Sequence, residues 1–300
     1  MASVVGSRFL DPAVLTQLPS LELRAKKLVE GVFVGYHKSP QFGYSVEFAD
    51  HREYVAGDDL RTVDWKVWAR KDKYYVKRFE MESQLKATIV LDVSKSMAFG
   101  AGRWTKLTYS SMLAATLAYL IIHQNDMAGL VTFDREIRSY VPPRGSRAHL
   151  RLLLHILDTV TPGPATNVAQ VCHQLAETIK ARGMIILISD LLDDEDAVIH
   201  ALRHFQYQRH DVIVFHVLDE AELELPYQEL ANFVELESGR RVAVDPATFR
   251  RTYQERVAAY CAKVRAGCRQ TAIDYRLVSS AEPIERVLTE FLLFRAKRSR

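Results

Sequence analysis

From residue 86 onward, short apolar runs alternate with longer stretches of helical period. Ala87-Thr88-Ile89-Val90-Leu91, Met184-Ile185-Ile186-Leu187-Ile188 and Val212-Ile213-Val214-Phe215 are apolar at nearly every position. Runs of this kind suit strands covered on both faces, because neither side of the pleat meets water. The pattern predicts strands at 87–92, 128–133, 136–141, 184–189, 211–218 and 273–278. Between them it predicts helices at 104–123, 146–160, 167–181, 194–207, 246–266 and 283–297. In the first of these helices Ala114, Ala115 and Ala118 lie among Leu113, Leu117, Ile121 and Ile122, a mix of sizes suited to close packing on a sheet. Residues 230–245 read as a small hairpin with its polar turn at Glu237-Ser238-Gly239-Arg240. Strand-helix alternation predicts an α/β domain over residues 86–300, built on a doubly wound, mostly parallel sheet.

Residues 1–85 follow another pattern. After a predicted helix at 20–29, glycines at 31, 35, 43 and 57 punctuate segments rich in aromatic and β-branched residues. This predicts a small β-rich N-terminal extension spanning 1–85. Between Arg61 and Arg78 seven basic residues accompany only Asp64 and Asp72, interleaved with Trp65, Trp68, Tyr74 and Tyr75. Such a stretch can bind single-stranded nucleic acid by stacking and phosphate contacts. The alternation of Val63, Trp65 and Val67 favours instead a strand with one packed and one solvated face. Arg52 and Arg61 with Asp58, Asp59 and Asp64 read as a salt-bridge network bracing a turn.

Composition narrows the class. A chain of 300 residues with 48% hydrophobic content can bury a full core. A formal charge of +3 is too mild to argue for a polyanion partner, so no nucleic acid is expected. Three cysteines, Cys172, Cys261 and Cys268, form no paired framework, which points to a reducing, cytoplasmic setting. No apolar run approaches the about 20 residues of a membrane helix, so no membrane insertion is expected.

The chemistry concentrates in Asp92-Val93-Ser94-Lys95-Ser96, directly after the first strand of the α/β domain. In extended chain Asp92, Ser94 and Ser96 point to one side. One carboxylate and two hydroxyls are hard oxygen donors, suited to Mg2+, with Mn2+ or Ca2+ as substitutes, and unsuited to zinc. They neither neutralise such an ion nor fill six positions. The site therefore needs further oxygens and leaves room for a partner's carboxylate. Asp190 ends the strand 184–189 in the same way, and the loop 161–167 offers the hydroxyl of Thr166. In open α/β sheets ligands sit at the carboxyl ends of strands, where strand order reverses. For the Asp-Ser-Ser motif alone the bland alternative is a capped strand-to-helix turn.

These residues resemble the metal-ion-dependent adhesion site of von Willebrand factor A domains. The resemblance implies direct ligation of Mg2+ by Ser94, Ser96 and Thr166, with Asp92 and Asp190 acting largely through water. A partner's acidic residue would complete the shell. Two departures stand out: the threonine loop reads Gly163-Pro164-Ala165-Thr166-Asn167, and Asp190 is followed by Leu191 where glycine is commoner. Upstream, His37-Lys38-Ser39, Gly43-Tyr44-Ser45-Val46-Glu47-Phe48, Arg52 through Arg61, Val63-Asp64-Trp65-Lys66 and Tyr75 through Glu80 occur in order. Together with the later motif they resemble the bacterial family known as domain of unknown function fifty-eight, over roughly residues 20–280. That resemblance implies an adaptor or co-chaperone partnered with a MoxR-type AAA+ ATPase.

Enzyme readings find little support, and no enzyme is expected. An aspartyl-phosphate phosphatase needs a carboxylate two residues after its nucleophile, where Ser94 stands. The spacing of Gly31 to Ser39 is wrong for a phosphate-binding loop, and Gly100-Ala101-Gly102 lacks the third glycine of a dinucleotide fingerprint. A Mg2+- or Mn2+-dependent phosphoester hydrolase is the alternative, with His216 or Glu195 as its base. His200 and His204 are spaced i, i+4 as in a zinc pair, but the sequence offers no evident third ligand and they read as solvated.

Overall fold

The structure, a computed structural model, describes residues 21, 25–26, 28–29, 51–55, 74–77, 85–164, 167–229, 231–234 and 241–298. Two compact units emerge: residues 1–38 with 85–300, and residues 39–84. In the smaller unit β1 (His51–Glu53) pairs antiparallel with β2 (Tyr75–Lys77). The tyrosines that extend this ladder, Tyr54 and Tyr74, bring their rings to 6.3 Å. Most of the basic-aromatic stretch 61–78, and Asp58, Asp59 and Asp64, lie outside the described residues.

In the larger unit the chain runs through β3 (Lys86–Asp92), α1 (Lys106–His123), β4 (Met127–Phe133) and β5 (Ile137–Arg144). It continues through α2 (Arg147–Thr159), α3 (Val168–Thr178), β6 (Met184–Ser189), α4 (Glu195–Tyr207) and β7 (Asp211–Leu218). After α5 (Glu220–Glu224) a hairpin of β8 (Ala231–Val234) and β9 (Arg241–Val244) leads to α6 (Pro246–Gln270), β10 (Asp274–Ser279) and α7 (Ile284–Arg298). The six strands of the main sheet lie in the order β10-β7-β6-β3-β4-β5. All neighbours are parallel except β4 and β5. This is the doubly wound, mostly parallel sheet that the strand-helix alternation predicts.

The two faces of each strand feed two apolar layers. Ile89, Leu91, Ile186, Ile188, Ile213 and Phe215 join one layer with α1, α2 and α7. Val90, Ile185, Leu187, Val212 and Val214 join the other with α3, α4 and α6. The period of two along a strand makes this division automatic. Leu21, Ala25 and Leu28, all helical, pack into the first layer. Helix α1 is therefore covered on nearly every side, and Leu113 to Ala115 have no exposed surface. At the edge, β5 alternates between half-buried and exposed positions and carries Pro142 and Pro143, which an interior strand would not tolerate. On the second layer α6 approaches α4 at Gly267, where there is no side chain to hold Ile199 away.

Strand order places the crevice. From β3 the chain steps outward to β4 and β5, then returns across β3 to lay down β6 on its other side. The connections leaving β3 and β6 thus diverge to opposite sides, opening a gap at their carboxyl ends. Asp92 closes β3 at this gap, and Asp190 follows β6. None of the described helices is long and apolar enough to cross a membrane.

Candidate metal-binding site

Asp92 and Ser94 have no exposed surface and Ser96 almost none. The strand geometry expected to align all three ends at Ser94, whose backbone is still extended at φ −62° and ψ 166°. A 3-10 turn over Lys95–Ala98 then curls the chain back. It brings the Ser96 hydroxyl to 3.0 Å from that of Ser94. The three side chains converge through a turn, not through the alternation of a strand.

Asp92 is held from both ends. The Ser94 backbone N–H donates to Oδ1 at 2.9 Å and the Ser189 hydroxyl donates to Oδ2 at 2.6 Å. Burial, and next the negative charge of Asp190, push the Asp92 carboxyl up to about 7, against the pull of the Ser189 and Ser94 hydrogen bonds. A nearby cation would favour the charged form that burial disfavours.

The threonine loop is pinned on either side of Thr166. The Gly163 N–H donates to the Val93 carbonyl at 2.7 Å, and the Lys95 N–H donates to the Pro164 carbonyl at 3.1 Å. Beyond it the Asn167 N–H donates to the Asp134 carbonyl at 3.3 Å, and the Asn167 side chain caps α3 by accepting from the Gln170 N–H at 3.0 Å. Gly163 lies so close to the ion pair of Asp134 with Arg138 that a Cβ there would collide with both side chains. Thr166 itself lies outside the described residues.

Asp190 is fully buried, and its Oδ2 accepts from Lys106 Nζ at 2.7 Å. The same ammonium donates to Glu222 Oε1 at 2.6 Å. Lys106 has no exposed surface and occupies the first turn of α1, where the helix dipole opposes a positive charge. Burial also disfavours its charge, but Asp190 and Glu222 outweigh that and hold the ammonium above its ordinary pKa. Lys106 is thus a built-in cation beside the site. Its sequence signal is a lysine opening a helix that is apolar on nearly every face; the identity of its partners is not legible there. Leu191 takes the left-handed backbone at φ 51° that glycine adopts freely. Its N–H donates to the Ser189 hydroxyl at 2.9 Å, its carbonyl accepts from the Tyr260 hydroxyl, and its side chain is fully buried.

The donor set fits a hard divalent ion. It consists of one carboxylate and two neighbouring hydroxyls, with a second carboxylate already sharing a lysine. Among the described residues no group of three His, Cys, Asp or Glu side chains is arranged to hold a metal. That is consistent with a hydroxyl-rich set, in which only Asp92 and Asp190 belong to those residue types. Neither hydrolase candidate is suited to act as the base: His216 lies beside the site, opposite Ser189 in the β6–β7 ladder and next to Asp190, and Glu195 lies on the surface. His216 is fully buried, bonds through Nδ1 to the Tyr275 hydroxyl at 2.7 Å and is pushed down to about 4 by burial, so it is a weak base. Glu195 pairs on the surface with Lys263 at 3.1 Å.

Comparison with known proteins identifies a family and indicates no activity. Two uncharacterized proteins, of Mycobacterium tuberculosis and Mycobacterium bovis, are each 30% identical over 259 residues, covering 85% of this chain and 81% of theirs. Among solved structures, conserved hypothetical protein BatB from Bacteroides thetaiotaomicron is similar at 15% identity and a TM-score of 0.49, over 70% of this chain and 98% of that one. The vWF domain of the type V pili tip protein Mfa5 from Porphyromonas gingivalis is similar at 13% identity and a TM-score of 0.36, over 69% and 94%. The family model described as "Protein of unknown function DUF58" matches residues 50–263, and the chain belongs to that family.

Proposed function

We propose that this chain is a protein-interaction adaptor that captures an acidic side chain of its partner at the carboxyl ends of β3 and β6. In this reading Asp92, Ser94 and Ser96 hold Mg2+ with Thr166, and Asp190 borders the ion while bonded to Lys106. The ion supplies a positive charge with an open position for a carboxylate. The protein supplies hydroxyls fixed by the 3-10 turn and a carboxylate fixed by Ser189 and Ser94. The reading is supported above all by the convergence of Asp92, Ser94 and Ser96 at the point where strand order reverses. The family resemblance implies a MoxR-type AAA+ ATPase as the partner.

The test uses the purified full chain and a purified MoxR-type ATPase, in Mg2+ and in chelator. Wild type is expected to bind in Mg2+ alone. Ser94→Ala with Ser96→Ala is expected to keep the thermal midpoint within a few degrees and to lose binding. Normal binding by the double variant in chelator would rule out the metal bridge. Absence of binding by wild type in either condition would rule out this ATPase class as the partner.

A further inference from the structure

Three imidazoles meet on the outer face of α3 and α4, and the strand-end site uses none of them. We propose that His173, His200 and His204 form a second metal site, for a borderline transition ion such as Zn2+.

His200 and His204 lie one turn apart on α4, and α3 packs alongside to bring His173 to both. The ring centroids are 4.4 Å apart for His173 and His204, 5.6 Å for His200 and His204, and 5.8 Å for His173 and His200. Three imidazoles bound tetrahedrally to one zinc at about 2.0–2.1 Å place their centroids about 5.2 Å apart. The observed triangle brackets that value, so the three rings already lie at about the separation that ligation requires. Ring orientation is what differs. His173 Nδ1 faces His204 Nδ1 at 3.3 Å, and as they stand no three such donors among the described residues are arranged around an ion. The proposal therefore requires the rings to rotate, and His200 is exposed.

The chemistry of the cluster suits the ion. Two facing ring nitrogens at this distance leave at least one ring neutral, and neutral imidazole is the form that binds metal. Burial, then the neighbouring His204 and His200, hold His173 below the ordinary histidine pKa, with Glu177 opposing. Glu177, one turn along α3, can provide a fourth, oxygen ligand; water is the other choice. Imidazole nitrogens select Zn2+, Cu2+ or Ni2+, whereas the strand-end oxygens select Mg2+. A bound ion would clamp α3, which follows the threonine loop, to α4, which follows the Asp190 loop.

The test is titration of tag-free full chain with Zn2+, and with Co2+ as a spectroscopic probe. Expected are one saturable equivalent, visible Co2+ absorption bands of a tetrahedral site, and a thermal midpoint that rises with Zn2+. His200→Ala and His204→Ala should each weaken binding by more than about tenfold, while Ser94→Ala with Ser96→Ala leaves it unchanged. His200 is exposed, so its substitution does not threaten folding. Lack of saturable binding by wild type, or binding that survives His200→Ala combined with His204→Ala, would overturn the proposal.

Discussion

Replacing Lys106 by methionine tests the conclusion that its ammonium balances the strand-end carboxylates. Methionine keeps the apolar stem, so the packing cost is small. What disappears is the charge between Asp190, whose side chain is 0% exposed, and Glu222, whose side chain is 20% exposed. Removing one partner of a buried pair costs about 3–5 kcal/mol, because the remaining charge stays buried without compensation. Water reaches Glu222, which puts the expected loss at the lower end, about 3 kcal/mol. For a folded unit of about this size, 1 kcal/mol moves the midpoint by about 2–4 °C. Thermal and urea unfolding at pH 7, without divalent ions, should therefore show a fall of about 6–12 °C. Adding Asp190→Asn to Lys106→Met removes the more deeply buried of the two stranded charges and should recover much of the loss. A loss below about 1 kcal/mol would refute the reasoning, as would a double variant no more stable than Lys106→Met alone.

Two further substitutions probe packing and titration away from the site. A Cβ on Gly267 would meet Ile199 Cδ1 at 2.5 Å, Cγ1 at 2.7 Å and Cγ2 at 2.9 Å. Helix propensity alone predicts that Gly267→Ala stabilises by about 1 kcal/mol; overpacking of α6 on α4 costs about 1–3 kcal/mol and should reverse the sign in urea unfolding. A clear gain in stability would show that the two helices separate without cost. Glu285 is buried, its Oε1 finds no hydrogen-bond partner among the described residues, and burial raises its pKa. A raised folded pKa means stability present below the unfolded value of about 4.3 and lost as pH rises through the folded one. Glu285→Gln should therefore gain about 1 kcal/mol over wild type at pH 7 and nothing near pH 4; parallel stability profiles across that range would contradict it.

The elements of the larger unit were legible because apolar periodicity is written locally. The runs at Met184 and Val212 read as strands covered on both faces, and both fall in the sheet interior. Helix ends were less legible. α3 stops at Thr178 and α6 continues to Gln270, against expected ends at 181 and 266. Capping and neighbouring packing set such ends, and periodicity alone carries little of either. At the site, the Asp-Ser-Ser motif and Asp190 were readable from residue types at strand ends. The convergence of Ser94 with Ser96 was not, because a 3-10 turn replaced the extended chain that spacing implied.

By itself, the sequence determined which segments of the larger unit become strand or helix, that the sheet is mostly parallel, and which strand ends carry carboxylate and hydroxyl side chains. Each follows from a period of two or 3.6 and from the chemistry of neighbouring residues. Only the tertiary structure decided the partners. Lys106 meets Asp190 across 84 positions and Glu222 across 116, and His173 meets His204 across 31. Strand order and helix packing set those meetings, and a periodic pattern holds no record of either. The charge balance at the strand ends and the imidazole triangle on α3 and α4 are therefore properties of the fold, invisible along the chain.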